Sequence, residues 1–195
     1  MEARLLKRNS ASRQGDLSEA ELLSLVRSGD ASGMRFFYER YVGFLTAVCS
    51  RYVPDRAAVK DILQEVFVKA FDRIGSFEYR GEGSVKAWMH RIVVNDSLKF
   101  LRANGKMKYV DDLPDVEDEQ MDSLPDVPAA VVAEMIKSLP DGYRTVFNLF
   151  VFEKKSHREI AELLGIKEDS SASQFFRARA MLAKKIKEYV KKNEQ

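Results

Sequence analysis

The sequence predicts an all-α protein made of two small helical domains. Apolar residues recur at three- and four-residue spacing on both sides of an acidic stretch, as amphipathic helices require. No segment shows the strict apolar and polar alternation that a half-buried strand needs. Hydrophobic residues make up 45% of the 195-residue chain, which is enough to bury real cores. We therefore expect helices packed on helices.

An acidic segment separates the two domains. Residues 109–127 contain eight acidic and no basic side chains, and both flanking blocks carry net positive charge. Repulsion between like charges, together with two prolines, favours an extended chain there. The predicted organisation is a disordered basic N-terminus at 1–17, a helical domain at 18–104, an acidic flexible linker at 105–127 and a second helical domain at 128–195.

Four helices are expected in the first domain. The first begins after Ser18, which forms a capping box with Glu21. The second helix is expected to be capped by Asp30, and the third to have Pro54 and Asp55 in its first turn. The fourth is expected to run from Ser84 to about Ala103. Their apolar residues fall on one stripe each, which predicts a helical bundle.

The second domain is expected to contain a helix at 129–138, another from Pro140, and then a helix-turn-helix in the sequence SHREIAELLGIKEDSSASQFFRARAMLAKK. Ser156 and Glu159 form a second capping box, and Gly165 is suited to a tight left-handed turn. A helix beginning near Ser170 is expected to bury a stripe that includes Phe175. An ordinary helical hairpin with a solvated basic face is the alternative interpretation.

The opening of that last helix is polar and its far end is basic, which is typical of a helix that enters a DNA major groove. Hydroxyl and amide groups near a helix N-terminus can meet base edges, and cations can hold phosphates. We expect the serines and the glutamine to lie on a largely free face. The predicted DNA-binding residues are Arg158, Ser170, Ser171, Ser173, Gln174, Arg177 and Lys184.

Aromatic and basic residues alternate in the sequence SFEYRGEGSVKAWMHRIVVN, as unstacked single-stranded bases require. Trp88 has helical spacing with core positions and is expected to be buried, whereas the loop aromatics are better placed to meet DNA. Asn95 could read a base or belong to an internal polar network. The predicted residues for single-stranded DNA are Phe77, Tyr79, Arg80, Lys86, Arg91, Asn95, Lys99 and Arg102.

Two long motifs resemble a known family. The sequence DILQEVFVKAFDRIGSFEYRGEGSVKAWMHRIVVNDSLKFLR resembles region 2 of the extracytoplasmic-function (ECF) sigma factors of the sigma-70 family. The sequence SLPDGYRTVFNLFVFEKKSHREIAELLGI, followed by SQFFRARAML, resembles region 4. The resemblance implies a cytoplasmic protein, without a cofactor and not itself an enzyme, that binds core RNA polymerase. It also implies recognition of the minus-35 and minus-10 promoter elements, assistance in melting duplex promoter DNA, and an anti-sigma factor as a partner.

The resemblance also assigns residues. It places core-polymerase binding at Asp61, Gln64 and Glu65, although a solvated helix face with Glu65 paired to Lys69 is the plain alternative. Region 2 is implied to melt the minus-10 element and hold a flipped base, and the helix near Ser170 to read the minus-35 element. The linker carboxylates are either simply solvated or mimic phosphate in polymerase channels: Asp111, Asp112, Glu117, Asp118 and Glu119.

The chain departs from the family pattern at four positions. The pattern usually has an arginine at the position of Val94 and an acidic residue at that of Lys99. It has a lysine at the position of Ala172 and a small residue at that of Phe176. These departures leave the promoter sequence open.

Other functional classes are less well supported. The single Cys49 cannot form an internal disulfide and lies at helical spacing among apolar residues, which predicts a buried structural thiol in a reducing compartment. The N-terminus has no signal-peptide pattern and no long apolar run occurs, so we expect no membrane insertion. A metal-dependent phosphohydrolase would have to use histidines and carboxylates such as His90, His157, Asp61 and Glu65, but no metal-binding spacing is present. A free-standing helix-turn-helix regulator is the closer alternative.

Overall fold

The computed structural model describes residues 17–104 and 127–193, and all regular secondary structure in these residues is helical. The helices are α1 Glu19–Arg27, α2 Ala31–Tyr52, α3 Arg56–Arg73, α4 Ser84–Ala103, α5 Ala129–Lys137, α6 Asp141–Val151, α7 His157–Leu164 and α8 Glu168–Asn193. The all-α prediction is therefore confirmed. The predicted basic N-terminus and acidic linker, with its five candidate carboxylates, fall on residues 1–16 and 105–126, outside the described part.

The chain divides into two compact units. Of the described residues, the first unit takes 17–49 and 55–97, and the second takes 50–54, 98–104 and 127–193. The four domain boundaries proposed from the sequence stay a prediction.

The first unit has a core of apolar side chains from α1 to α4. Phe37, Leu45, Val66 and Met89 have no solvent exposure, and burying each side chain of this kind stabilises the fold by about 1.5 to 3 kcal/mol. Cys49 is buried in this core as expected. Burial raises the pKa of its thiol, which keeps the group protonated and unreactive.

Capping side chains set the beginnings of the first three helices. The hydroxyl of Ser18 accepts from the Glu21 N–H at 3.2 Å, and the Glu21 carboxylate accepts from the Ser18 N–H at 2.8 Å. These bonds lower the pKa of Glu21. Asp30 accepts from the Gly33 N–H at 2.6 Å and Asp55 from the Ala57 N–H at 3.0 Å. The predicted capping box and the predicted Asp30 cap are confirmed, whereas Asp55, expected in the first turn of α3, is instead its N-cap.

The second unit packs α6 and α7 against α8. Its core contains Ile136, Leu139, Tyr143, Ala178 and Leu182. Arg144 is also buried. Its guanidinium donates to the carbonyls of Lys137 at 3.1 Å and Leu139 at 2.7 Å, and to the carboxylate of Asp141. A buried cation is tolerated here because carbonyl and carboxylate oxygens satisfy its donors.

The helix-turn-helix forms as predicted, but the start of its second helix differs from the prediction. Ser156 and Glu159 form the expected capping box, and Gly165 is left-handed with φ 69° and ψ 37°. The Gly165 N–H donates to the Ala161 carbonyl at 2.8 Å and so closes α7. However, α8 begins at Glu168 rather than near Ser170. Acidic residues in the first turn favour this earlier start because they interact well with the positive end of the helix dipole.

Replacing Gly165 with alanine is expected to lower the free energy of unfolding by about 1 to 2 kcal/mol, because an L side chain is strained in the left-handed region. Gly43→Ala is the matched control, since an added Cβ at this exposed helical position meets nothing within 4 Å. We expect that control to be neutral or stabilising by up to about 1 kcal/mol. Urea unfolding followed by circular dichroism checks both, and equal stabilities would contradict the prediction.

Candidate nucleic-acid interface

The loop between α3 and α4 forms one wall of an open cavity. Gly81 and Gly83 have φ values of 106° and 88°, in the region that favours glycine. The ring of Phe77 lies 4.7 Å from that of Trp88, with an angle of 30° between their planes. The cavity measures about 370 Å³, and its lining residues are Phe77, Glu78, Arg80, Ser84, Ala87, Trp88 and Arg91. Aromatic faces beside two guanidinium groups suit a base and its phosphate.

Trp88 was expected to be a core residue, and that expectation is wrong. The residue is half-buried, and its ring lines the cavity with Phe77. Tyr79 is half-buried too but does not line the cavity. The loop folds over α4 and turns a residue at core spacing into a cavity wall, which the local sequence pattern does not indicate.

Two charged residues meet at the mouth of this cavity. The Arg80 guanidinium lies 2.7 Å from the Glu78 carboxylate, and it lowers the pKa of that carboxyl group. Both side chains are largely exposed, and such surface pairs contribute little to stability. Arg80 can therefore exchange the Glu78 carboxylate for a phosphate at little energetic cost.

The exposed polar side chains of α4 are mostly basic. The Lys86 ammonium lies 4.5 Å above the ring of Phe44 and remains exposed. Asn95 is exposed, so the expectation of an internal polar network for this residue is not supported. The exposed polar residues along this helix are Lys86, Arg91, Asn95, Lys99 and Arg102.

The predicted polymerase-binding face of α3 is open to solvent at Asp61, Gln64 and Glu65. Lys69 lies 2.7 Å from Asp96 and 3.6 Å from Glu65, so its main partner is Asp96. The Glu65 to Lys69 pair of the plain alternative is therefore present but secondary, and the Glu65 side chain remains 70% exposed.

Two exposed apolar residues lie beside this acidic face. Val68 follows Asp61, Gln64 and Glu65 at helical spacing and is 55% exposed. Tyr38 is 47% exposed, and its ring lies 4.7 Å from that of the buried Phe67. Neither residue was predicted from the sequence, because Tyr38 fits the apolar spacing of α2 and Val68 is a single apolar residue on the polar side of α3. An apolar centre with a polar rim is the composition of a protein-binding surface.

The orientation of α8 corrects the predicted reading face. Ser171 and Gln174 were expected to be largely free, but they are 0% and 5% exposed. The Ser171 hydroxyl lies 3.0 Å from Nδ1 of His157, whose ring stacks on that of Phe150 at 4.7 Å. The amide oxygen of Gln174 is buried and has no hydrogen-bond partner among the described residues. Neither side chain can reach a base from these positions.

The buried stripe of α8 explains this correction. It includes Ser171, Gln174, Ala178 and Leu182. The sequence predicted a stripe of Phe175, Ala178, Leu182 and Ile186, and all of these but Phe175 are buried. Phe175 lies at the edge of the interface, half-buried, with its ring 4.3 Å from that of Phe150. The contact between the Ser171 hydroxyl and the His157 imidazole thus holds α7 against α8 and does not read a base.

The outward face of α8 contains residues that the sequence analysis missed. Phe176 is 41% exposed, and Ala172, Ser173 and Arg179 are exposed near it. The sequence analysis noted Ala172 and Phe176 only as departures from a family pattern. Of the other predicted residues, Ser170 and Arg177 are half-buried, and Arg158 and Lys184 are exposed. Arg158 pairs with Glu162 at 3.4 Å.

The metal-dependent alternative finds no support in this geometry. Its two histidines, His90 and His157, belong to different units. Across residues 17–104 and 127–193, no group of three or more His, Cys, Asp or Glu side chains is placed to hold a metal ion. None of the helices in the same residues is long and apolar enough to cross a bilayer.

Comparison with known proteins matches both units to family models. Residues 37–107 match Sigma-70 region 2, and residues 129–182 match Sigma-70, region 4. The ECF RNA polymerase sigma-E factor of Haemophilus influenzae is 30% identical, and the match covers 87% of this chain and 96% of that protein. Its namesake in Escherichia coli K12 is 28% identical, with 90% and 98% covered.

A solved structure, CnrH in complex with the cytosolic domain of CnrY, matches with a TM-score of 0.44 and 21% identity, and covers 85% of this chain and 95% of that one. The sequence relatives and the two family models together carry the assignment. The chain belongs to the sigma-70 family and is an RNA polymerase sigma factor of the extracytoplasmic-function type.

Proposed function

We propose that this sigma factor binds core RNA polymerase through the exposed face of α3 and opens promoter DNA at the cavity beside α4. In the same proposal, the outward face of α8 reads the minus-35 element. The observation that carries the proposal is the cavity, where Phe77 and Trp88 present aromatic surface next to Arg80 and Arg91. The protein acts where RNA polymerase works, in the cytoplasm, and has no catalytic role of its own. An anti-sigma factor as partner rests on the family resemblance alone.

Capture of a base by the cavity provides the energy for melting. Removing a base from the duplex stack costs a few kcal/mol. Stacking on an aromatic side chain returns about 1 to 3 kcal/mol per base, and guanidinium groups add contacts to phosphate. Phe77 and Trp88 are the surfaces proposed to stack with the flipped base of the minus-10 element, and Arg80 and Arg91 the groups that hold its backbone. Tyr79 lies outside the lining and has a lesser part.

The other exposed cations of α4 are proposed to hold the backbone of the same DNA. Lys86, Lys99 and Arg102 are exposed cations along one helix, and their attraction to phosphate does not depend on sequence. Asn95 is the one amide among them and is the group suited to read a base edge.

The minus-35 element is proposed to meet a mixed polar and apolar surface. Ser173 and Arg179 can donate hydrogen bonds to base edges, and Phe176 can contact the methyl group of thymine. Arg158, Arg177 and Lys184 are assigned to phosphates, and Ser170 remains near the helix N-terminus. Ser171 and Gln174 are reassigned from reading bases to holding α8 in place, because they are buried.

Core binding is proposed to use the acidic face of α3 together with its exposed apolar neighbours. Asp61, Gln64 and Glu65 supply charge and polar contacts for orientation. Val68 and Tyr38 supply apolar area that is removed from water on docking.

Reconstitution with core polymerase tests the function as a whole. Wild-type protein is expected to direct transcription from a subset of a promoter library, whereas a free-standing regulator would bind duplex DNA tightly by itself. Reversing charge with Asp61→Lys and Glu65→Lys should weaken core binding at least tenfold in a native gel, since an interfacial charge pair is worth about 1.5 kcal/mol or more. Glu188→Lys, at an exposed position of α8, is the control and should bind core normally. Normal binding by the double variant would refute the α3 assignment.

Removal of either aromatic wall is expected to impair melting but not docking. Phe77→Ala and Trp88→Ala should form closed complexes normally and lower the extent of opening by about fivefold to a hundredfold, the equivalent of roughly 1 to 3 kcal/mol of stacking. Tyr79→Ala, in the same loop but outside the cavity lining, should have a smaller effect. Permanganate reactivity of promoter thymines measures opening. Wild-type reactivity in both cavity variants would rule the cavity out.

Phe176 is expected to distinguish thymine from uracil in the minus-35 element. With wild-type holoenzyme, uracil at the contacted position should weaken binding about threefold to fivefold, since burial of one methyl group contributes roughly 0.8 kcal/mol. With Phe176→Ala the two bases should bind alike. Ser171→Ala is the control. It should lower stability by about 1 kcal/mol through loss of a buried hydrogen bond, yet keep the wild-type preference. Equal thymine preference in wild type and Phe176→Ala would contradict the assignment.

A further inference from the structure

The first helix of the protein is bonded to the far end of the loop that forms the cavity. Glu19, in the first turn of α1, is only 4% exposed. Its carboxylate accepts hydrogen bonds from the backbone N–H groups of Gly83 at 2.9 Å and Val85 at 3.3 Å. In the opposite direction, the Glu82 carboxylate accepts from the Glu19 N–H at 2.8 Å. The two elements are thus joined by side chains from both sides.

The same helix is bonded to the near end of the loop through Arg27, its last residue. The Arg27 Nε donates to the carbonyl of Ile74 at 3.1 Å, and a terminal guanidinium nitrogen donates to the carbonyl of Phe77. Phe77 is a wall of the cavity. Glu19 and Arg27 therefore hold the loop at its two ends, and one of the bonds reaches a residue proposed to touch DNA.

These bonds are separate from the contacts that hold α1 in the fold. The helix packs into the core through Leu22, Leu23 and Val26, all of them buried. The Glu19 carboxylate is anchored in turn by the Tyr41 hydroxyl, which donates to it at 2.8 Å. Burial and this bond raise the pKa of Tyr41, so its phenol keeps the proton that it donates. A change at Glu19 or Arg27 can therefore release the loop while the apolar packing of α1 remains.

We infer that Glu19 and Arg27 are positioning residues for promoter melting, which hold the loop of residues 74–85 so that the cavity is formed before a base arrives. The inference rests on the proposed role of the cavity. Its physical basis is that a loop already ordered has little conformational entropy to lose when a base binds. The two glycines with positive φ make the loop able to take this shape, but they also leave it more freedom than any other residues would. Bonds from α1 remove that freedom.

The inference is tested with reconstituted holoenzyme, by measuring affinity for a single-stranded oligonucleotide of the minus-10 non-template sequence together with permanganate reactivity on duplex promoter. Glu19→Ala and Arg27→Ala should each lower oligonucleotide affinity and opening by about fivefold to tenfold, the factor for roughly one net hydrogen bond. Core binding and closed-complex formation should stay at the wild-type level. Glu19→Gln should keep most of the wild-type oligonucleotide affinity and opening, because its amide oxygen can accept from both backbone N–H groups while its amide nitrogen donates to Tyr41.

Glu21→Ala is the matched control, since Glu21 caps the same helix and its bonds are made to Ser18. It should weaken α1 but leave oligonucleotide affinity unchanged. The inference is overturned if Glu19→Ala and Arg27→Ala lose no more than Glu21→Ala, or if they lose core binding in the same proportion as opening. Should Glu19→Ala fail to fold, the exposed Arg27 decides the question alone. If Phe77→Ala also opens promoters normally, the proposed cavity has failed. If Phe77→Ala is defective and the α1 variants are not, only this inference has failed.

Discussion

Helix ends are the constraint on which the rest of the structure depends, because each end leaves backbone N–H or carbonyl groups without helical partners. In the first unit, Glu19 takes N–H groups at the start of α4, and Arg27 takes a carbonyl just beyond α3. In the second unit, Arg144 takes carbonyls at the end of α5, and Ser156 caps α7. These polar bonds decide where each helix begins and how the loops leave it. Apolar burial supplies the stability, but it is non-directional and could not fix the cavity wall by itself.

On α8, the residues that hold the helix in place lie on a different face from the residues that are proposed to read bases. Its inward face meets α7 through Ser171 and His157, and its outward face presents Ser173, Phe176 and Arg179. Residues three and four apart lie on one face of a helix. If α8 were rotated about its axis by one residue position, the two roles would be exchanged. The Ser171 contact is one part of the packing that orients α8. The buried stripe through Ser171, Gln174, Ala178 and Leu182 decides which side chains face outward.

Sequence patterns predicted what depends on local spacing. Both serine capping boxes and the left-handed Gly165 were expected and are present, because their partners lie within a few residues. Trp88 and Gln174 were misplaced, because the loop that exposes the first and the packing that buries the second are tertiary effects. Glu19 gave no signal, since its bonding partners Gly83 and Val85 are 64 and 66 residues away along the chain. The site is thus less predictable than the fold, because its geometry depends on contacts between distant segments.

The departures from the family pattern gain meaning from this geometry. Val94, where the pattern usually has an arginine, is buried, so the polar groups of α4 that are proposed to meet DNA are confined to its exposed side, where Arg91 and Asn95 lie. On α8, Ala172 stands where the pattern has a lysine, and Phe176 is exposed nearby. Such a surface has fewer donors and more apolar area than the pattern implies. In the proposed function, this face therefore discriminates more through the thymine methyl group, which the major groove displays, than through hydrogen bonds to purines. Most of the binding affinity then comes from the flanking cations, whose attraction to phosphate does not depend on sequence.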